Sequence, residues 1–351
     1  MKYIYIILTI TLLFSCKENK VKNKTIDSLK KQYHLTGNKL NINPDKLNST
    51  GKLILFEEES CIIKENNRGK YMLEKIYYEK DSLEYLAPIG NGPNEYLQVR
   101  LIGKLDEQSY DIIDIKTNKI IRYNLADSII KSIKLEKFTL DAVSTPKGFI
   151  ATGCFEDVDK DEYSRFSIFN ASGKYVKSFG KFPDDGNSSP NINKLLAYQG
   201  RYTYNSFSNR LAYISRAGII FEIYQLNDDN PMILKYYHEL FPSYSNNNKG
   251  NKIQSKHSKD QVFGYTDICS TDKYIYALYS GKKLHEYKKE GIEAAESSKV
   301  IHVFDWNGEK ICSYNTDIEL LNITVSFDNK KLIATAWKDN YVLYSFNLPD
   351  F

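Results

Sequence analysis

One recurrent unit limits the fold of this chain more than any other feature. A short apolar run, a tight polar turn and a second apolar run return four times as DIIDIKTNKIIRYNL, FSIFNASGKYVKSFG, FEIYQLNDDNPMILKYY and IHVFDWNGEKICSY. Ile, Val, Tyr and Phe dominate the runs, so they read as strands. The turns are rich in Asn, Asp and Gly, which accept positive φ at low cost and so let two strands reverse tightly. Their centres fall near Asn118, Ser172, Asp228 and Asn307. The last interval is too long, and two polar insertions account for the excess: SYSNNNKGNKIQSKHSKDQ at 243–261 and KKLHEYKKEGIEAAESSK at 282–299.

With those insertions set aside, the spacing approaches that of one propeller blade. An earlier unit turns near Asp81 and a final one ends in NYVLYSFNL, which brings the count to six. No long segment has a helical period. The expected fold is therefore all-β, a six-bladed β-propeller over residues 46–351, closed between the N- and C-terminal strands. The last unit has room for three strands, and the segment Leu47 to Leu55 is expected to supply the fourth. Closing the ring in this way leaves only short, protected strand edges.

The N-terminus reads differently. Lys2 precedes the apolar run YIYIILTITLLF, too short to span a bilayer, so residues 1–15 read as a signal peptide. LFSC, ending at Cys16, resembles the lipobox of bacterial lipoproteins, which makes Cys16 the expected lipid attachment site and the N-terminal lipid the expected link to a membrane. Lys17 follows Cys16 where an aspartate would suggest inner-membrane retention, so the expected address is the outer membrane, facing the periplasm or the cell surface. Residues 16–45 are Lys- and Asn-rich with few large apolar side chains, and are expected to form a flexible polar tether. The formal net charge of +4 is too small for a nucleic-acid footprint, which would cluster Lys and Arg on the domain. Cys61, Cys154, Cys269 and Cys312 form no C-x-x-C pair and read as isolated buried thiols rather than a zinc site.

IGNGPNEYL, YIYALYSGKK and VIHVFDWNGEK together resemble the signature segments of the TolB-like six-bladed β-propeller lipoproteins of Gram-negative bacteria, over roughly residues 50 to 351. The resemblance implies the fold and an extracytoplasmic setting. It implies no activity.

GNGPNEY lacks the third glycine and helix of a dinucleotide loop and the Lys-Ser/Thr of a P-loop, and it reads as the turn from EYLAPIG to LQVRLIG. There Glu95 is placed to accept backbone N–H bonds, and Glu95, Tyr96 and Arg100 become rim candidates if the loop borders a channel mouth. EDVDKDE at 156–162 begins like an EF-hand loop, but Glu162 and Ile168 stand where glycine and glutamate are needed, so it reads as a solvated hairpin tip. The five histidines have no metal spacing, and neither G-x-S-x-G nor H-E-x-x-H occurs. Most of the 28 Tyr and 17 Phe are expected to pack between blades, while YQGRYTYNSFSNR offers aromatics beside amide and guanidinium groups and adds Tyr202 and Arg210 as weaker ligand candidates.

No catalytic residue, metal site or cofactor is called for. The reading is a lipid-anchored binding or interaction module for a glycan, a peptide or an envelope-protein partner, with no nucleic acid. The alternative is a propeller hydrolase or lyase acting at the central channel mouth, using carboxylates brought together from different blades.

Overall fold

The computed structural model describes residues 31–43, 47, 49–66, 69–152, 164–227, 231–247, 254–287, 291–337 and 340–350. The stretch read as a signal, Cys16, the EDVDKDE segment, Cys154 and the turn at Asp228 lie outside the described residues. Two short strands come first, β1 (Gln32–Leu35) and β2 (Asn38–Lys39). Four sheets of four strands follow, each an antiparallel meander. The first blade is β3 (Leu53–Phe56), β4 (Cys61–Glu65), β5 (Tyr71–Tyr77) and β6 (Ser82–Pro88). The second is β7 (Val99–Asp106), β8 (Ser109–Asp114), β9 (Lys119–Asn124) and β10 (Ile129–Lys134). The third is β11 (Asp141–Thr145), β12 (Gly148–Thr152), β13 (Phe166–Asn170) and β14 (Tyr175–Phe179). Helix α1 (Asn191–Ala197) leads into the fourth, β15 (Gly200–Asn205), β16 (Arg210–Ser215), β17 (Ile219–Gln225) and β18 (Met232–Leu240).

After a small hairpin, β19 (Tyr244–Asn246) and β20 (Ser255–His257), the chain builds one eight-stranded sheet. Its strands are β21 (Tyr265–Ser270), β22 (Tyr274–Tyr279), β23 (Ser298–Asp305), β24 (Lys310–Val325), β25 (Lys331–Trp337) and β26 (Tyr341–Asn347), with β1 and β2 added. Between β22 and β23 stand a 3₁₀ turn, Leu284–Tyr287, and helix α2 (Ile292–Glu296). The 16-residue β24 serves two blades. Its first half pairs with β23 as an outer strand, and its second half pairs with β25 as an inner strand. The eight-stranded sheet thus occupies two blade positions.

The ring is visible in the core. Six apolar clusters each join two consecutive blades, and the sixth joins the last blade to the first through Leu321, Ile333 and Leu343 against Leu53, Leu55 and Ile62. Adjacent residues of one strand face different neighbours: Ile112 packs toward the first blade and Ile113 toward the third. Strands covered on both faces need no polar alternation, and all six residues of β8 are accordingly buried.

Two sequence expectations need correction. The closing strand is β2, paired through Asn38 with Ser345 and Lys39 with Tyr344, and not the segment Leu47 to Leu55. The four residues of β3 are all buried, as an innermost strand requires, while an outermost strand keeps one face in water and tolerates Asn and Lys. For the same reason residues 32–39 are strands inside the stretch read as a tether, with Leu35 and Ile42 as buried anchors. The second correction concerns register. The turn at Asn118 joins the second and third strands of its blade, whereas those near Asp81, Ser172 and Asn307 join the third and fourth, so Asp127 is their equivalent.

Candidate functional site

Strands in a meander alternate direction, so each inner strand starts on the face where the second strand ends and the third begins. That face gathers GNGPNEY, α1, the β19–β20 hairpin and α2. It opens on a funnel of about 530 Å³ to which the inner-strand starts of all six blades contribute, through Lys52, Arg100, Asp141, Arg201, Thr266 and Asn322. Two of these starts follow a glycine. A Cβ at Gly51 would stand 2.5 Å from the Glu65 carbonyl oxygen and one at Gly200 only 1.8 Å from that of Ile214, so no larger residue lets the strands approach this closely.

The funnel wall is charged on one side. Glu65, at the end of β4, accepts a hydrogen bond from the Leu101 N–H at 2.7 Å and lies 3.9 Å from the Arg100 guanidinium. Arg201 donates to Asp267 at 2.9 Å, and Asp267 also accepts from the Ile323 N–H at 2.8 Å, which ties the fourth, fifth and sixth blades together. Arg216 pairs with Glu296 of α2. Lys52 and Asp141 keep part of their surface open to the funnel yet are ringed by protein. Burial pushes the Lys52 ammonium below its usual range against the pull of Asp141, and pushes the Asp141 carboxyl up against the pull of Lys52 and Arg100.

The opposite wall is aromatic. Phe166, Phe182, Tyr198, Tyr202 and Tyr213 line it, from the third and fourth blades and the α1 connection. Behind them Arg165 is 4% exposed and packs its guanidinium over Tyr213 at 4.9 Å and Phe166 at 5.4 Å. Its Nη2 pairs with Glu222, whose other carboxylate oxygen meets His238 Nε2 at 2.7 Å. Burial works against the Arg165 charge, but Glu222 outweighs it and keeps the group protonated.

The sequence candidates separate. Arg100 stands in the funnel, half exposed, and Tyr202 lines the aromatic wall from inside β15 rather than from a loop. Glu95 folds back on its own loop and accepts from the Gly92 N–H at 2.8 Å. Tyr96 is buried between the first two blades with its hydroxyl on that of Tyr123, so it does not reach the funnel. Arg210 sits on the opposite face, where it donates to the Trp306 carbonyl at 2.8 Å and to Asn307 at 2.9 Å, which holds two blades together. Sequence reading missed Lys52, Asp141, Arg165, Arg201 and Arg216. A usable signal existed at two of them: TGK and QGR each put a glycine and then a cation at the head of a strand. Among the described residues no group of three or more His, Cys, Asp or Glu stands close enough to hold a metal ion.

A family described as TolB-like 6-blade propeller-like matches residues 54–328. Among solved structures, a member of the DUF4221 family from Bacteroides vulgatus is similar at 14% identity with a TM-score of 0.53, covering 90% of this chain and 97% of that one. A gluconolactonase from Xanthomonas campestris is similar at 8% identity and a TM-score of 0.50, covering 86% and 88%, and U3-55K at 8% and 0.50, covering 89% and 98%. At these identities the likeness is one of fold. No curated protein matches the chain.

Proposed function

The chain belongs to the TolB-like 6-blade propeller-like family, and we propose that it is an extracytoplasmic binding module, held to the outer membrane by a lipid on Cys16, whose ligand enters the funnel. The observation that carries this reading is the funnel itself: a cavity of about 530 Å³ to which every inner strand contributes. That volume lies within the roughly 300–1,000 Å³ of small-molecule sites, and its lining is richly charged on one side and aromatic on the other. Arg201 and Arg216 are each fixed by a carboxylate from another blade, so part of the site is built before the ligand arrives. A glycan, a peptide end or a small organic acid matches the chemistry of the walls.

The test is a thermal-shift screen of such compounds on the purified protein and on Gln98→Trp. Gln98 is exposed at the funnel and makes a neutral plug when enlarged. Compounds that raise the wild-type melting temperature are expected to lose their effect on the plugged variant. Hits that stabilise both proteins equally place the site elsewhere and contradict the reading. Conversion of a hit to product by the wild type alone replaces it with the hydrolase or lyase alternative.

A further inference from the structure

Resting on that binding reading, we infer that the ligand is a small organic anion, a carboxylate carried on a ring, with the carboxylate on Lys52 and Arg100 and the ring against the aromatic wall. A count of donors and acceptors leads there. The funnel lining carries five cations, Lys52, Arg100, Arg165, Arg201 and Arg216, against three carboxylates, Glu65, Asp141 and Glu296. Glu65 takes the Leu101 and Lys52 backbone N–H groups, and Asp267 takes Arg201, Asn322 and the Ile323 N–H. The Lys52 ammonium makes no hydrogen bond among the described residues, and Arg100 makes none either, its nearest carboxylate oxygen being 3.9 Å away.

Arg165 adds an independent observation. Its Nε and Nη1 are buried and have no hydrogen-bond partner among the described residues, although the residue lines the cavity. A buried N–H without an acceptor costs about 1–3 kcal/mol, more for a charged group, so Arg165 leaves the aromatic side of the cavity, too, short of acceptors. A site with spare donors selects an acceptor-only group, and an ionised carboxylate is the side-chain-sized group that accepts without donating. Its planar oxygens suit a guanidinium fork. Tyr202 and Tyr213 meet Phe166 edge-on at 6.1 and 5.6 Å, so the wall is packed in place and gives the body of a ligand a fixed apolar surface to lie against.

The experiment is calorimetric titration of the full chain with two anions and their neutral counterparts: D-glucuronate against D-glucose, and benzoate against benzyl alcohol. At least one anion is expected to bind saturably, and its counterpart at least tenfold more weakly. The double variant Lys52→Gln, Arg100→Gln should weaken that anion at least tenfold while leaving the melting temperature in place. Equal binding of anion and counterpart overturns the carboxylate assignment and leaves the binding module standing. Binding of none of the four also overturns it, and the Gln98→Trp screen then decides the broader reading on its own.

Discussion

His302 shows how far burial alone can move one group. It lies in β23 with its ring stacked on Tyr279 at 4.8 Å and Nδ1 3.0 Å from the Tyr265 hydroxyl, and burial lowers its pKa from 6.5 to about 3, with Lys310 adding to the effect. The folded protein therefore holds this imidazole neutral at pH values where the unfolded chain protonates it. Stability from His302 is complete above pH 6.5 and is lost as the pH falls from 6.5 toward 3, at up to about 1.4 kcal/mol per pH unit. Denaturation midpoints of wild type and His302→Gln measured at pH 7 and pH 4.5 check this. The wild type should lose more over that interval; parallel losses would mean the histidine is not held neutral.

At the scale of elements, β1 and β2 put strands of the propeller ahead of residue 45. β2 pairs with β26, β1 adds a parallel strand outside β24, and Gly37 between them donates to the Asp317 carboxylate at 3.0 Å. A chain starting at residue 45 loses both strands and the buried Leu35 and Ile42, and exposes the edge of β26. Its stability should fall by several kcal/mol relative to a chain starting at residue 31, since each large buried aliphatic side chain alone is worth roughly 2–5 kcal/mol. Urea denaturation of the two chains measures the difference, and matching midpoints would show that the ring closes without β2. Sequence could find the blades because turn chemistry is local: NASG and DWNG reverse the chain whatever surrounds them. It could not find β2, since an outermost strand of Asn and Lys carries no apolar signal and its partner lies some 300 residues away.

The funnel belongs to the whole molecule, and this is why so little of it could be read in advance. Lys52, Arg100, Asp141 and Arg201 come from four blades and meet only because the inner strands converge on an axis. Arg100 was named for its nearness to a turn and Tyr202 for its aromatic context, and both line the funnel, whereas Tyr96 and Arg210 had equally plausible contexts and went into blade-to-blade packing. The same convergence makes the site rigid, with Asp267 alone joining three blades. A second hollow of about 510 Å³ lies between the outer strands of the first two blades, beside Tyr85, Tyr123 and Ile129, and is the natural competitor for any ligand. A crystal structure of the protein with the tightest-binding compound from the screen distinguishes them most directly. The ligand should be found in the funnel, within hydrogen-bond distance of Lys52 or Arg100 and against Tyr202 or Tyr213. A ligand seated in the outer hollow, or on the face that carries Arg210, would contradict the account.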